Sequence, residues 1–222
     1  MFYRDAIFSD YIYSLIIQNI LDSFEECSTA FELGAGRGRF SYTLVEKFPN
    51  TYLIEPSKSY ASILKNLFRG KNVKIFNITA KEFFRKDLIS GNSVCFSFHL
   101  LHHLGTKERK EIFDYIKNTG SKAVFIEPNP WNPLIMLHVI LHPAMQVKAE
   151  MEYVKLSKHR LVQESESCGL KILHHAKLCF FPPVITNALL HSFLKNALPY
   201  FEKYNNLSPF FGSYQLLYCS GT

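Results

Sequence analysis

The chain has 222 residues, 25 Lys and Arg against 19 Asp and Glu for a formal net charge of +6, and is 47% hydrophobic and 20% charged. A chain of this length can bury roughly 70–75% of the surface its unfolded form exposes, so it folds without staples, and one domain over 1–222 is expected. With ten Gly and ten Pro in that composition, a disordered tail, a collagen-like repeat and a disulfide scaffold are excluded.

No apolar run reaches the ~18 residues needed to span a bilayer. The N-terminal Met-Phe-Tyr-Arg-Asp has no long apolar stretch before Asp10, so no signal peptide is expected and the sequence reads as a soluble, cytoplasmic protein. Cys27, Cys95, Cys168, Cys179 and Cys219 are scattered, with no C-x-x-C spacing. They predict buried thiols rather than a metal site. The positive charge suits an acidic small molecule, a nucleic acid or an anionic membrane surface, and is too evenly spread to choose among them.

In chain order, residues 3–24 carry apolar positions at helical spacing, and 29–33 is a short apolar strand ending at Gly34. The pattern then predicts a helix over 39–48 stopped by Pro49, a strand over 51–54, and a helix over 57–68 with Ser57 as cap and Gly70 as stop. A strand over 73–76 leads to a short helix over 80–84, and a strand over 93–98 to a helix over 106–118 opened by Thr106. A fifth strand covers 122–126. Beyond it come an apolar helix over 134–141, a helix over 157–167, a strand over 170–181, an aromatic-rich helical stretch over 183–204 and a last strand over 214–220. Repeated strand, turn and helix units predict an α/β, doubly wound, mostly parallel seven-stranded sheet with helices on both faces. In such a sheet ligands sit outside the carboxyl ends of the strands.

The loops at that edge carry the most specific signal, Glu32-Leu33-Gly34-Ala35-Gly36-Arg37-Gly38. An acid ends a strand, glycines alternate where backbone must touch a ligand without a Cβ, and a helix begins at once. Glu55, seventeen residues past Gly38 and at the end of the second strand, stands where a carboxylate can accept from both hydroxyls of a ribose. A dinucleotide fingerprint would place glycine where Arg39 stands, and no Gly-Lys-Ser/Thr loop occurs. A ligand with a ribose, an amine and a carboxylate but no phosphate fits these residues.

Over 28–128 the sequence resembles the class I S-adenosylmethionine-dependent methyltransferases of small-molecule type. The resemblance implies S-adenosylmethionine as cofactor, S-adenosylhomocysteine as product and no metal. It implies that Glu32, Gly34, Ala35, Gly36 and Gly38 hold the methionine end, Glu55 with Pro56 the ribose, and Thr79 and Ala80 the adenine, with Ser97 and Phe98 beside them. Thr79 stands where the family has Asp, so the adenine contact then rests on backbone or on the Thr hydroxyl. Leu101-His102-His103-Leu104 and the Pro-rich run from Glu127 to Pro133 are similar to segments of small-molecule members. Residues 28–128 then form the cofactor half, 1–27 an N-terminal helical cap, and 129–156 and 182–206 lid or substrate insertions.

His99 and His103 are the candidate bases, because they follow the fourth strand at the ligand-facing end. Tyr11, Glu127, Asn129 and Trp131 are candidate substrate contacts. Tyr13, the run 134–141, Phe180, Phe181, Leu189, Leu190 and Phe193 could cover an apolar acceptor, or form a homodimer or membrane-surface contact. His138 and His142 have metal-compatible spacing but no third ligand nearby, and His174-His175 reads as strand surface. The expected reaction is methyl transfer to an oxygen or nitrogen of a small, partly apolar metabolite. An RNA or DNA methyltransferase and a non-catalytic partner subunit are the alternatives.

Overall fold

The short β-branched and aromatic runs form the strands β1 (Thr29–Leu33), β2 (Asn50–Ile54), β3 (Val73–Phe76), β4 (Ser93–Phe98), β5 (Lys122–Pro128), β6 (Lys171–Leu178) and β7 (Tyr214–Ser220). The structure, a computed structural model, describes residues 2–20, 24, 26–90, 92–141 and 154–221, and the side chains of these except 2–5, 138, 139 and 141. His142 lies outside the described residues, as does the side chain of His138. Among the described residues the strands make one seven-stranded sheet in the order β3-β2-β1-β4-β5-β7-β6. β1 to β5 are parallel, and β7 runs antiparallel to both β5 and β6. The expected doubly wound, mostly parallel sheet is the fold observed.

Helices α1 (Phe2–Asn19), α2 (Ser41–Lys47), α3 (Lys58–Leu67), α4 (Ala80–Phe84), α5 (Thr106–Thr119), α6 (Pro133–Leu141), α7 (Lys158–Ser167), α8 (Pro183–Leu190) and α9 (Leu198–Glu202) connect and cover the strands. Both faces of the sheet are buried, so its central strands read as continuous apolar runs instead of alternating with polar residues. On one face Phe8, Ile12 and Ile16 of α1 pack against Phe96, Phe98, Ile126, Leu216 and Tyr218. On the other, Ile112, Phe113 and Ile116 of α5 and Leu161 of α7 pack against Phe31, Cys95, Phe125 and Leu217. All five cysteines are buried.

Several boundaries differ from the sequence reading, each for a local reason. α1 ends at Asn19, whose side chain turns back to donate to the Leu15 carbonyl at 2.8 Å. α2 begins at Ser41 because residues 38–40 belong to the glycine turn, with Gly38 N–H donating to Ala35 O at 2.9 Å. Gly105, not Thr106, caps α5, and Glu108 accepts from the Gly105 N–H at 2.8 Å. The Thr106 hydroxyl accepts instead from Arg109 and Arg160, both at 3.2 Å. β5 runs on through Glu127 and Pro128, because β7 pairs opposite them as Gln215 and Tyr214. β6 stops at Leu178, where Cys179 turns the chain with φ +59°. The stretch 183–204 breaks into α8, a 3-10 turn over Phe193–Ala197 capped by the Ser192 hydroxyl, and α9 with Pro in its first turn.

Candidate functional site

The carboxyl ends of β1, β2 and β4 converge on the glycine loop. Gly34, Gly36 and Gly38 have φ of +69°, +55° and +83°, in the left-handed region that side chains with a Cβ rarely occupy. The three serve different ends. A Cβ on Gly38 would stand 2.9 Å from Leu64 Cδ2 of α3, so this glycine is a packing requirement. A Cβ on Gly36 would meet only the Gly34 carbonyl, at 3.9 Å. The loop therefore leaves its backbone uncovered at Gly36, as a cradle for a ligand requires.

Glu55 clasps this loop from β2. One carboxylate oxygen accepts from Gly36 N–H at 2.7 Å and the other from Ser57 N–H at 2.8 Å. Each oxygen keeps a second lone pair for an outside donor. Glu32, on β1, is only 1% exposed and accepts from the Ser41 hydroxyl at 2.5 Å, so it braces the start of α2 against the strand end. Burial pushes its carboxyl up to about 8, against the lowering effect of the Ser41 bond and with a further rise from the Glu55 charge.

Because the native value is raised, the folded chain holds this proton more tightly than the unfolded chain does. The stabilisation is then fully present below about 4.5 and fades as pH rises through about 8. Glu32→Gln, which mimics the protonated acid, should remove that dependence. Thermal melts at pH 5, 6.5 and 8 should show the variant gaining on the parent with rising pH, by on the order of a few kcal/mol at the top of the range. Parallel melts would mean that Glu32 is ionised in the fold.

Beside the loop lies a cavity of about 490 Å³ lined by Gly34, Ile54, Pro56, Thr79, Ala80, Phe84, Leu100, Leu104 and Ile112, with Lys81, Lys107, Glu108 and Glu111 at its walls. Thr79 caps α4: its hydroxyl accepts from Glu82 N–H at 3.2 Å and donates to the Glu82 carboxylate at 2.8 Å. That side chain is thereby committed to the helix start. Phe84, stacked on Tyr115 at 4.0 Å, supplies an aromatic wall. Ala35 and Phe98 are buried at the same edge, Phe98 stacked on Phe40 at 4.4 Å.

At the end of β4, Ser97 is buried with its hydroxyl unpartnered among the described residues. His99 takes φ +54°, donates its N–H to Ile126 O at 2.8 Å, and lies 4.6 Å from the Tyr214 ring. Its Nε2 is buried and has no hydrogen-bond partner among the described residues. Burial holds this imidazole well below its usual value, and the charges of His102, Arg39 and His103 add to the effect. His103 is exposed, its ring against His102 at 3.9 Å.

Glu127 is fully buried and accepts from Leu100 N–H at 3.1 Å, Leu101 N–H at 2.8 Å, and pairs with His102 Nδ1 at 2.6 Å. It fixes the turn whose Leu100 forms a wall of the cavity. The sequence reading singled out Glu127 but passed over His102 for its neighbours. Within Leu101–His103 the first two residues are buried and His103 is exposed, and a three-residue turn has no periodicity that marks this in sequence.

Asn129 is also buried, donating to the carbonyls of Pro209, Phe211 and Gly212 and accepting from Trp131 N–H at 3.2 Å. It ties the chain after β5 to the loop before β7. Tyr11 donates to Glu202 at 2.7 Å, and Glu202 also accepts from the N–H groups of Cys179 and Phe180, both at 3.0 Å, joining α1 to the 179–202 segment. Trp131 is 59% exposed and Phe193 91% exposed, whereas Tyr13 is buried in the core. His175, read as strand surface, is half-buried with its Nε2 unpartnered among the described residues. Among the described residues there is no cluster of three metal-ligating side chains, and no helix long and apolar enough to cross a membrane.

No family model and no curated protein sequence matches the chain. Its backbone is similar to that of a SAM-dependent methyltransferase from Archaeoglobus fulgidus, with a TM-score of 0.64 and 14% identity, over 98% of this chain and 93% of that one. It is similar to a SAM-dependent methyltransferase from Leishmania major, with a TM-score of 0.62 and 13% identity, over 99% of this chain and 74% of that one. It is also similar to the plantazolicin methyltransferase BamL, solved with a triazolic desmethylPZN analog and SAH. There the TM-score is 0.59 and the identity 15%, over 97% of this chain and 85% of that one. With the strand order and the glycine loop above, these likenesses show that the chain has the Rossmann-like fold of the SAM-dependent methyltransferases.

Proposed function

We propose that the chain binds S-adenosylmethionine at the glycine loop and transfers its methyl group to an oxygen or nitrogen of a small, partly apolar metabolite. The observation that carries this reading is the uncovered backbone at Gly36 clasped by the Glu55 carboxylate. The residues present suit the cofactor. Glu55 has lone pairs left for two ribose hydroxyls, the cavity between Pro56, Ala80 and Leu100 offers apolar walls to a flat base, and the N–H groups entering α2 favour a carboxylate. When bound, S-adenosylmethionine supplies a methyl group already activated on a sulfonium.

The chain's own task is then alignment. Holding reacting atoms ~3–3.5 Å apart in line removes several kcal/mol of barrier. His99, at the end of β4, carries a buried Nε2 with no partner among the described residues and is the first candidate proton acceptor, a weak base by virtue of its burial. His103, exposed on the same turn, is the second candidate. Glu127, Asn129 and Tyr11 act as positioning residues in this reading, and Trp131 with the described parts of 129–156 and 182–206 forms the cover on the acceptor side. The described residues up to 27 cap one face of the sheet.

Calorimetric titration with S-adenosylmethionine tests the reading. Saturable binding is expected in the parent, and Glu55→Ala should weaken it about tenfold or more, since a carboxylate accepting two hydroxyls is lost. No binding by the parent, or equal affinity in Glu55→Ala, would overturn it.

A further inference from the structure

A second cavity, of about 510 Å³, opens at the far end of the same sheet edge. Among the described residues it is lined by Asn129, Trp131, Lys158, His175, Lys177, Asn206, Pro209 and Gln215. Its chemistry follows from strand register. Glu127, Gln215 and Lys177 lie opposite one another across β5, β7 and β6, so the three side chains form one row on one face. His175, two residues before Lys177, shares that face.

In this row the acid and the cation do not neutralise each other. Glu127 spends its carboxylate on Leu100, Leu101 and His102. The Gln215 amide stands between, donating to Pro128 O at 3.3 Å and Leu156 O at 2.7 Å. Lys177 donates to the Ser208 carbonyl, a neutral partner. No carboxylate lines the cavity among the described residues. Lys158, Lys177 and His175, whose Nε2 is buried and unpartnered among the described residues, therefore line one space with no carboxylate in its lining. Burial and the Lys158 charge hold Lys177 below its usual range, and burial followed by the same lysine pushes His175 down to about 4. Both directions report burial first and the neighbouring Lys158 charge second.

We propose that this cavity binds a small organic oxyanion, a carboxylate or phosphate monoester, carried on a flat apolar body that lies against the exposed Trp131 indole. Lys158 and Lys177 pair with the oxyanion, His175 Nε2 bonds to it, and Trp131 with Pro209 covers the body. A volume near 500 Å³ is in the range of small-ligand sites. The proposal goes beyond the methyl-transfer reading and does not rest on it: the anion contacts Lys158, Lys177 and His175 have no part in that reading, and of the contact residues only Trp131 is shared with it.

Trp131 is the sole tryptophan of the chain, so its fluorescence reports on this cavity. Titration of the full chain with phenyl phosphate and with benzoate should give a saturable change in that emission. The neutral benzyl alcohol should give none. Preference for one anion identifies the headgroup as phosphate or carboxylate, and either supports the proposal. Lys158→Met, at an exposed position that folding does not need, should weaken binding about tenfold, as should Lys177→Met. Both variants should keep the parent's response to S-adenosylmethionine in calorimetry. Proton NMR of His175 should show its imidazole value rising when the anion binds. No response to either anion, equal response to benzyl alcohol, unchanged affinity in Lys158→Met, or a response confined to a single-stranded oligonucleotide would overturn the proposal.

Discussion

Gly36→Val should abolish S-adenosylmethionine binding, with an affinity loss of about a hundredfold or more, while Gly36→Ala loses far less. Two costs separate in this pair. Both substitutions place a Cβ on a residue with φ +55°, a strain of roughly 1–2 kcal/mol for a non-glycine residue. For this chain length that lowers Tm by about 2–8 °C. The Cβ that both carry meets no protein atom closer than the Gly34 carbonyl at 3.9 Å, so the alanine variant spares the packing of the fold. What the branched valine adds is volume in the space where the ligand must touch backbone. Melting curves measure the first cost and calorimetry the second. If the valine variant melts lower yet binds as the parent does, the loop is a structural turn and the cofactor site lies elsewhere.

Glu127→Ala should be the most destabilising single change at the site. The substitution leaves Leu100 N–H, Leu101 N–H and His102 Nδ1 buried with their acceptor gone. Breaking a buried charged network of this kind costs about 3–5 kcal/mol, or roughly 6–20 °C in Tm for a chain of this size. Glu127→Gln should recover part of the loss, because its carbonyl oxygen can still accept from the two backbone groups. Cofactor affinity should fall with stability in the alanine variant, since Leu100 stands only 3.0 Å from where a Cβ on Gly34 would be and loses its tether. Equal melting of alanine and glutamine variants would show that the network is not what holds the turn.

These two sites differ in how far they could be read from residues alone. Gly36 and Glu55 are close in sequence and carry their requirement in residue type: glycine for a left-handed backbone, an acid at a strand end. Glu32 belongs to the same motif, yet its bond to Ser41 and its raised carboxyl depend on how deeply the start of α2 is packed. Thr79 was marked for a ligand by its position, but Glu82 three residues on makes a capping box that engages its hydroxyl. That pattern is local and was readable. His102 was not singled out because its partner, Glu127, is 25 residues away along the chain and meets it where the turn after β4 lies against the end of β5. The same holds for Asn129, whose amide reaches carbonyls about 80 residues on.

The amino-acid order by itself determined the elements and their sequence along the chain, because strand runs, caps and glycine stops are local and each residue type limits its own backbone. β1, β3, β4 and β7 fall on the residues their apolar runs mark, and the parallel sheet follows from the alternation of strands and helices. Only the tertiary structure decided where β5 and β6 end, since pairing with β7 sets the first and the turn at Cys179 the second. It alone decided which acids are spent inside the fold and which cations are left facing a cavity. Charge pairing acts through space over a few ångströms, and the row Glu127, Gln215, Lys177 gathers three residues that lie between 38 and 88 positions apart along the chain and that strand register alone brings side by side.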